Sequence, residues 1–334
     1  MKRLGRYTIE FDENIAVTGY GSTACKKEAE GPLGGNFDKI IYDYYASMKT
    51  YEQAESVFQQ EAFEFALKRS GKKAQDIDII FAGDLLNQCI SSSYGLKVFG
   101  IPYFGIYGAC STMAEGLILS AISLSSGASR CSACATSSHF CSAERQYRFP
   151  LDYGGQRTPT SQWTVTGSGS CILEKANGKI KLSRALAGRI VDYNIFDLNN
   201  MGAAMAPAAA DTISRFLADT KTSPEEYDLI LTGDLGEVGS KCLYDILEKE
   251  GIDIKSVHND CGLMIFDRKK QDVHAGGSGA GCCASVLCST ILPKIQEGYY
   301  KNVLFIATGA LMSPTSSQQG GAIPAIAHLV NIIA

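Results

Sequence analysis

The sequence predicts an α/β fold made of two pseudo-symmetric halves. Residues 61–88 and 211–238 align without a gap at an offset of 150, and both copies contain the triplet Gly-Asp-Leu near their ends. Residues 110–136 and 282–307 form a second pair of similar units. Two copies of an α/β unit in one chain indicate a duplicated fold with two packed sheets.

The first pair of units reads as a helix, a short connection and a buried strand. In the first copy, apolar residues recur with helical spacing at Phe63, Ala66 and Leu67. Apolar runs then predict strands over 77–83 and 227–233. Because the two runs occupy the same position in the repeat, we expect these strands to be equivalent in the fold.

The second pair of units also reads as a helix followed by a strand. In the first copy a helix over 113–124 leads through Gly127 to an apolar strand. In the second copy a helix from Ser285 leads through Gly298 to another apolar strand. A glycine directly after a helical pattern is typical of a helix end.

The boundary between the halves falls at a turn-rich stretch, residues 174–179. We therefore divide the chain into an N-terminal half, residues 1–175, and a C-terminal half, residues 176–334. A chain of 334 residues is long enough for two such halves.

Composition excludes several classes of protein. Apolar residues make up 45% of the chain and charged residues 20%, which is typical of a globular protein and not of a disordered one. The net charge of -4 gives no indication of a nucleic-acid partner. Twelve cysteines, mostly in apolar runs, indicate buried thiols in a reducing compartment. We expect no signal peptide and no transmembrane segment, because no apolar run reaches about 20 residues.

Cys110 is the strongest nucleophile candidate among the cysteines. It follows a predicted strand over 103–107 and lies in a tight turn just before a helix. A helix N-terminus stabilises a thiolate and can bind an oxyanion. The alternative is a buried thiol that only packs against its neighbours.

His274 lies in a glycine-rich stretch, residues 272–281, ahead of a predicted helix. Glycines let the backbone approach a ligand closely, and a histidine there can act as a base or donate to an anion. The alternative is that the glycines serve close helix packing. Cys131 and Cys134 lack a second pair of ligands, so we predict no metal site and no cofactor.

The segment 139–163 is rich in turn residues and aromatic rings, and it contains three arginines, Arg145, Arg148 and Arg157. Guanidinium groups beside aromatic faces suit a planar anionic ligand, because they combine two-donor contacts with stacking. The alternative is that the arginines are solvated, or are paired with Glu144 and Asp152.

Four strings carry a resemblance to a known family: YGACSTMAEGL (107–117), FPLDYGGQRTPTSQWTVTGSGS (149–170), DVHAGGSGAG (272–281) and SPTSSQQG followed by IPAIAH (313–328). With the duplicated units, they resemble the thiolase and β-ketoacyl synthase superfamily. The residues of the four strings are more similar to one family within this superfamily, the stage V sporulation AD proteins of endospore formers. This resemblance covers essentially the whole chain.

The resemblance implies a thiolase-like fold, with two similar halves stacked in five layers, α-β-α-β-α. It implies binding of dipicolinic acid (pyridine-2,6-dicarboxylate), with calcium as a candidate companion ion, during uptake into the developing spore. The implied partners are membrane proteins of the same sporulation operon, and a homodimer is a further expectation. The implied location is the forespore or spore, peripheral at the inner membrane.

The resemblance also assigns site positions. Cys110 takes the nucleophile position of the condensing enzymes and His274 a second catalytic position, but Asp234 or Leu235 takes the place of the first catalytic histidine. A carboxylate would repel the enolate that such enzymes stabilise. We therefore predict binding without condensation; the alternative is an acyltransferase or β-ketoacyl synthase-like enzyme with Cys110 as acyl acceptor. The residues expected at the ligand are Cys110, His139, Arg145, Arg148, Arg157, Gly277 and Gly279.

Overall fold

The computed structural model describes residues 1–148 and 157–334, apart from the side chains of residues 12, 13 and 148. The strands are β1 Lys2–Leu4, β2 Thr8–Cys25, β3 Lys39–Ile41, β4 Ile79–Gly83, β5 Tyr103–Gly105, β6 Cys131–Ser138, β7 Trp163–Thr164, β8 Gly167–Lys175, β9 Lys181–Leu186, β10 Leu229–Thr232, β11 His258–Asp260, β12 Gly277–Ser278, β13 Asn302–Ala310 and β14 Ala325–Ile333. The α-helices are α1 Lys26–Ala29, α2 Tyr51–Ser70, α3 Ile90–Leu96, α4 Thr112–Ser126, α5 Phe140–Arg148, α6 Met201–Thr220, α7 Gly236–Lys249, α8 Cys261–Met264, α9 Ala280–Val286, α10 Leu292–Gln296 and α11 Pro314–Gln318. A π-helical turn, Leu287–Ile291, joins α9 to α10.

The main strands follow one path, in the order β11-β10-β13-β14-β9-β2-β8-β6-β4-β5. This path consists of two halves of the same design. In each half a central strand, β4 or β10, pairs in parallel with an edge strand, β5 or β11, and with β6 or β13. Two antiparallel strands complete each half, β8 and β2 in the first and β14 and β9 in the second. The equivalence that the repeat predicts for strands 77–83 and 227–233 is confirmed.

The long strand β2 joins the two halves. Its first residues, Thr8 to Glu10, pair with β9, and its later residues, from Ile15 onward, pair mainly with β8. Strand β8 ends at Lys175, where the sequence predicts the boundary between halves. The division into residues 1–175 and 176–334 stays a prediction, and β2 pairs across it.

Two equivalent aspartates show how closely the repeat is preserved. Asp78, just before β4, accepts hydrogen bonds from the backbone N–H groups of Arg130 and Cys131, at 2.7 and 3.3 Å. Asp228, just before β10, accepts from those of Lys301 and Asn302, at 2.7 and 2.9 Å. Each carboxylate thus fixes the start of the neighbouring parallel strand, because it satisfies backbone donors that the ladder leaves unpaired.

We expect Asp228→Ala to lower the free energy of unfolding by about 1–3 kcal/mol, because two backbone N–H groups lose their acceptor. Asp78→Ala should cost a similar amount. The sites lie in different halves, so the two losses should add in the double variant. Urea unfolding of the three variants measures this. A double variant no less stable than either single one would contradict independent roles.

The elements stack in five layers. Helices α2 and α3 cover the outer face of the first half-sheet, and α6 and α7 cover that of the second. Helices α4, α9 and α10 lie between the sheets, and α4 contacts strands of both halves. One apolar cluster joins these helices to both half-sheets, with Met113 and Leu117 of α4, Cys171 of β8 and Phe305 of β13 all buried in it. Burial on two faces explains why the strands read as continuous apolar runs.

One stretch, Ala109–Ser126, is apolar and long enough to cross a membrane by length and composition alone. Two-thirds of it, 67%, is buried inside the fold, where it forms α4. Its apolar character is therefore explained by the central layer, in which a helix meets a sheet on each side.

Candidate functional site

Cys110 lies in the turn that leads from β5 into α4. Hydroxyl groups close this turn: Ser111 Oγ donates to the carbonyl of Gly108 at 2.6 Å, and Thr112 Oγ1 donates to that of Ala109 at 2.7 Å. Ala109 has a φ of 51°, so the backbone is in the left-handed region. Gly309 of β13 packs against the turn so closely that a Cβ there would lie 2.3 Å from the oxygen of Gly108.

The Cys110 thiol faces a cavity between the two halves of the fold, which we call the central cavity. It encloses about 450 Å³ of empty volume, part of it open to solvent. Its described lining comes from both halves and consists of Leu85, Tyr107, Ala109, Cys110, Ala143, Glu144, Tyr147, Thr164, Met201, Ser278, Gly279, Ala310 and Met312.

Asp234 lies directly behind this lining and is fully buried. Its carboxylate accepts hydrogen bonds from Ser278 Oγ at 2.7 Å, Thr308 Oγ1 at 2.7 Å and the Gly279 N–H at 3.0 Å. Cys110 Sγ lies 4.0 Å from Ser278 Oγ. The structure thus brings Cys110 and Asp234 together, with Ser278 as the connecting group.

The surroundings of Cys110 favour the thiol over the thiolate. Burial raises the pKa of Cys110 well above its usual value, and the nearby carboxylate of Asp234 raises it further. The pKa of Asp234 is itself raised by burial, against the lowering effect of its hydrogen bonds. Since the thiolate is the reactive form of cysteine, this environment opposes nucleophilic chemistry.

Two tyrosines form one wall of the central cavity. Tyr107 and Tyr147 join hydroxyl to hydroxyl at 2.8 Å, and Tyr147 also donates to the carbonyl of Leu85. These two hydrogen bonds connect three segments of the first half: the turn after β4, the turn after β5, and α5. The wall is therefore aromatic, with a hydroxyl group from each ring.

His274 lies outside the central cavity. Its Nε2 is 3.3 Å from a carboxylate oxygen of Asp272, and its side chain is 30% exposed. With a φ of 49°, the backbone at His274 is in the left-handed region. The residue of this glycine-rich stretch that reaches Cys110 is Ser278, four positions later.

His139 is also placed away from the central cavity. It is fully buried, and its Nε2 lies 2.8 Å from the carbonyl of Tyr44. Its Nδ1 accepts from the backbone N–H of Cys141 at 3.1 Å, and its ring packs against Tyr51 and Phe58. Burial lowers the pKa of His139 to about 4, so it is a neutral core histidine.

The arginines of segment 139–163 are not in the described lining of the central cavity. Arg145 points outward and pairs with Glu52. Arg157 lies 4.8 Å from the centre of the Trp163 ring and donates to the carbonyl of Gln162. The side chain of Arg148 lies outside the described part of the chain, as do residues 149–156 with Asp152. Arg145 thus follows the alternative that an arginine pairs with a carboxylate, with Glu52 as the partner.

The two glycines predicted at the ligand differ in their placement. Gly279 lines the central cavity, has a φ of 106°, and gives its N–H to Asp234. Gly277 lies behind the cavity, where its carbonyl accepts from Gln162 Nε2 at 2.8 Å. A Cβ at Gly277 would lie 2.8 Å from a side-chain carbon of Ile265, so its role there is close packing.

Several lining residues were missed by the sequence analysis. Ser278 is the only side chain with a hydroxyl group in the string 272–281, a signal that we gave less weight than the histidine. Thr308, which bonds Asp234 behind the lining, lies within the apolar strand β13 and gives no pattern of its own. Tyr147 and Glu144 lie in the segment 139–163, from which only His139 and the three arginines were predicted at the ligand. Across residues 1–148 and 157–334, no group of three or more His, Cys, Asp or Glu side chains is arranged to hold a metal ion.

Comparisons with known proteins agree with this geometry. Solved structures with the same fold include a 3-oxoacyl-[acyl-carrier-protein] synthase III from Aquifex aeolicus, at a TM-score of 0.59 and 15% identity. The alignment covers 96% of this chain and 100% of that one. Cerulenin-bound OleA from Xanthomonas campestris matches at a TM-score of 0.63 and 11% identity, over 98% and 100% of the chains. At these identities the likeness shows the fold, which is thiolase-like as the sequence predicts.

Sequence comparison is more specific. The family model described as stage V sporulation protein AD matches residues 5–333. The stage V sporulation protein AD of Bacillus subtilis (strain 168) is 42% identical over 328 residues, which is 98% of this chain and 97% of that protein. The chain is therefore a member of the stage V sporulation protein AD family, with a thiolase-like fold whose central cavity pairs a cysteine thiol with a buried aspartate.

Proposed function

We propose that this sporulation protein binds dipicolinic acid in the central cavity and supports its uptake into the developing spore, without condensing activity. The observation that carries the proposal is the state of Cys110. The thiol faces a cavity, as a nucleophile would, but burial and Asp234 keep it protonated. A cavity whose cysteine stays protonated is suited to holding a ligand and not to forming an acyl-enzyme.

The lining supports a flat, polar ligand. Tyr107 and Tyr147 supply an aromatic wall with two hydroxyl groups, and the side chains of Ser278 and Thr164 supply further polar groups. Met201 and Met312 supply unbranched side chains, which adapt to a ring. Small-molecule sites usually combine an apolar enclosure with a few such polar groups.

Charge supports the presence of a companion cation. No lysine or arginine belongs to the described lining, which includes Glu144. A dipicolinate dianion alone would therefore meet no cationic side chain in the described lining. We therefore expect tighter binding when calcium accompanies the ligand. Uptake into the spore would further need membrane proteins of the same operon, which remain proposed partners.

Calorimetric titration with dipicolinate, with and without calcium, tests the proposal. We expect saturable binding that Tyr147→Phe weakens several-fold, because the hydroxyl group leaves the cavity wall. Cys110→Ala should weaken it only modestly, since the thiol serves as a wall. Tyr94→Phe is the matched control, because Tyr94 is exposed and distant from the lining.

Incubation with acyl-CoA followed by mass spectrometry tests the enzyme alternative. Binding of dipicolinate without an acyl adduct is the expected outcome. A stable adduct on Cys110 that is lost in Cys110→Ala, together with no dipicolinate binding by the unmodified protein, would overturn the proposal in favour of acyl transfer.

A further inference from the structure

A chain of hydrogen bonds runs from the protein surface toward the central cavity through the second half of the fold. The Tyr244 hydroxyl lies 2.8 Å from His258 Nδ1, and His258 Nε2 lies 2.9 Å from Thr232 Oγ1. Thr232 Oγ1 donates to Asp260 Oδ2 at 2.7 Å. At its outer end, Tyr244 borders a surface cleft that Glu248, Ile252 and Lys255 also line.

The direction of each hydrogen bond follows from the groups at its ends. Burial lowers the pKa of His258 to about 4, so its ring is neutral and has one donor and one acceptor. When Asp260 is ionised, the single hydroxyl proton of Thr232 points to its carboxylate. His258 Nε2 must then donate to Thr232, and His258 Nδ1 must accept from Tyr244. The tyrosine hydroxyl therefore selects the tautomer of the histidine.

Asp260 holds the turn that carries Asp234. Its carboxylate accepts from the backbone N–H groups of Leu235 and Gly236, at 2.8 and 3.0 Å, and from that of Leu263 at 3.2 Å. Gly236 has a φ of 61°, so the turn adopts a left-handed conformation two residues after Asp234. Four donors on one buried carboxylate fix this turn, and with it the residue next to Cys110 and Ser278.

The charge of Asp260 is sensitive to this arrangement. Burial raises the pKa of Asp260 to about 6, and the charge of Asp234 contributes in the same direction, while the hydrogen bond from Thr232 lowers it. The other titratable groups that interact with Asp260 are neutral at pH 7: Tyr244, His258, Cys261, Cys282 and Cys283. When ionised, Asp234 is therefore the charged group with the largest effect on Asp260 among the described residues.

We propose that Asp260 is the positioning residue for Asp234. The hydrogen-bond chain of Tyr244, His258 and Thr232, which begins at the surface cleft, keeps the carboxylate of Asp260 ionised and fixes its orientation. Without the Tyr244 hydroxyl, His258 can take the other tautomer, and its Nε2 then accepts the Thr232 proton. Asp260 loses that donor and protonates more readily, and the turn at Asp234 loosens. The inference rests on the proposed function only where it concerns the ligand.

The first test is Tyr244→Phe with two measurements. Alkylation of Cys110 by iodoacetamide, followed over pH by peptide mass spectrometry, reports the influence of Asp234 on the thiol without any ligand. We expect a profile shifted to lower pH, with several-fold faster alkylation at pH 8. Calorimetric titration with dipicolinate should show several-fold weaker binding. Tyr227→Phe is the matched control, since the Tyr227 hydroxyl bonds Thr222 at 2.8 Å and takes no part in the hydrogen-bond chain from Tyr244 to Asp260.

A second pair of variants covers the middle of the chain. Thr232→Ser keeps the hydroxyl group and should behave as the unmodified protein, whereas Thr232→Val should shift the alkylation profile as Tyr244→Phe does. If Tyr244→Phe and Thr232→Val both leave the Cys110 profile unchanged, the positioning role is wrong. If the unmodified protein fails to bind dipicolinate while the profiles shift as expected, the proposed ligand is wrong and the positioning role stands.

Discussion

Asp234→Asn will make Cys110 more reactive. The thiol pKa is raised first by burial and then by the carboxylate of Asp234, and the substitution removes the second cause while it leaves the first. Each unit by which the thiol pKa falls raises the thiolate fraction roughly tenfold at a fixed pH well below it. We therefore expect iodoacetamide to alkylate Cys110 about ten times faster at pH 8.

The same substitution has a cost in stability. An asparagine oxygen can still accept from Thr308, but its amide group faces the Gly279 N–H, which loses its acceptor. We expect the free energy of unfolding to fall by about 1–3 kcal/mol. Asp84→Asn is the matched control, because Asp84 holds the equivalent place in the first half and also accepts a backbone N–H. Equal alkylation rates in Asp234→Asn and the unmodified protein would refute this account of the thiol.

The protein will lose stability as the pH rises from 6.5 to 8.5. Burial raises the pKa of Glu28 and Glu115 to about 7 and that of Glu55 to about 8. In the unfolded chain these carboxyl groups ionise near pH 4.5, so the folded state alone holds their protons at neutral pH. Stability therefore falls as the pH passes through the folded-state values, by about 1 kcal/mol per pH unit near pH 7.

Histidines limit this effect on the acid side. Burial lowers the pKa values of His139, His258 and His328 to about 4, so below pH 6.5 the unfolded chain binds protons that the folded state does not. The histidines thus offset part of the effect of the carboxyl groups below pH 6.5, and the decline is shallower there than near pH 7. Urea unfolding at pH 6.5, 7.5 and 8.5 measures the slope.

Glu55→Gln should make this curve less steep between pH 6.5 and 8; above that range the buried cysteine thiols, whose pKa values burial raises, add a decline of their own. A glutamine side chain can still bond both Ser137 and Ser142, which donate to the Glu55 carboxyl at 3.0 and 2.9 Å. Glu64→Gln, on the exposed side of the same helix, is the control and should follow the unmodified protein. An unchanged slope in Glu55→Gln would mean that Glu55 does not hold a proton in the folded state.

The fold was more predictable than the site for a physical reason. The repeat around Gly83 and Gly233 records strand order and burial, which depend on local apolar patterns. Asp234, in contrast, came from the resemblance to the thiolase and β-ketoacyl synthase superfamily, which assigns a site position at the end of the second-half strand. Side-chain direction in irregular segments has no such pattern: a left-handed turn separates His274 from the cavity, while Ser278 reaches it. The ion pair of Arg145 has no such pattern either, since its partner Glu52 lies on a different helix.

The pairing of β2 across both halves constrains how the chain can fold. The strand contains residues 8–25, but its partners β8 and β9 lie at residues 167–186. The pairing of β2 with β8 and β9 therefore cannot form until more than half of the chain has been made. Until then, the backbone donors of β2 that face these two strands stay unpaired. Such long-range closure slows folding and exposes strand edges to other chains. During synthesis on the ribosome, β2 thus cannot complete its pairing until β9, which ends at Leu186, has emerged.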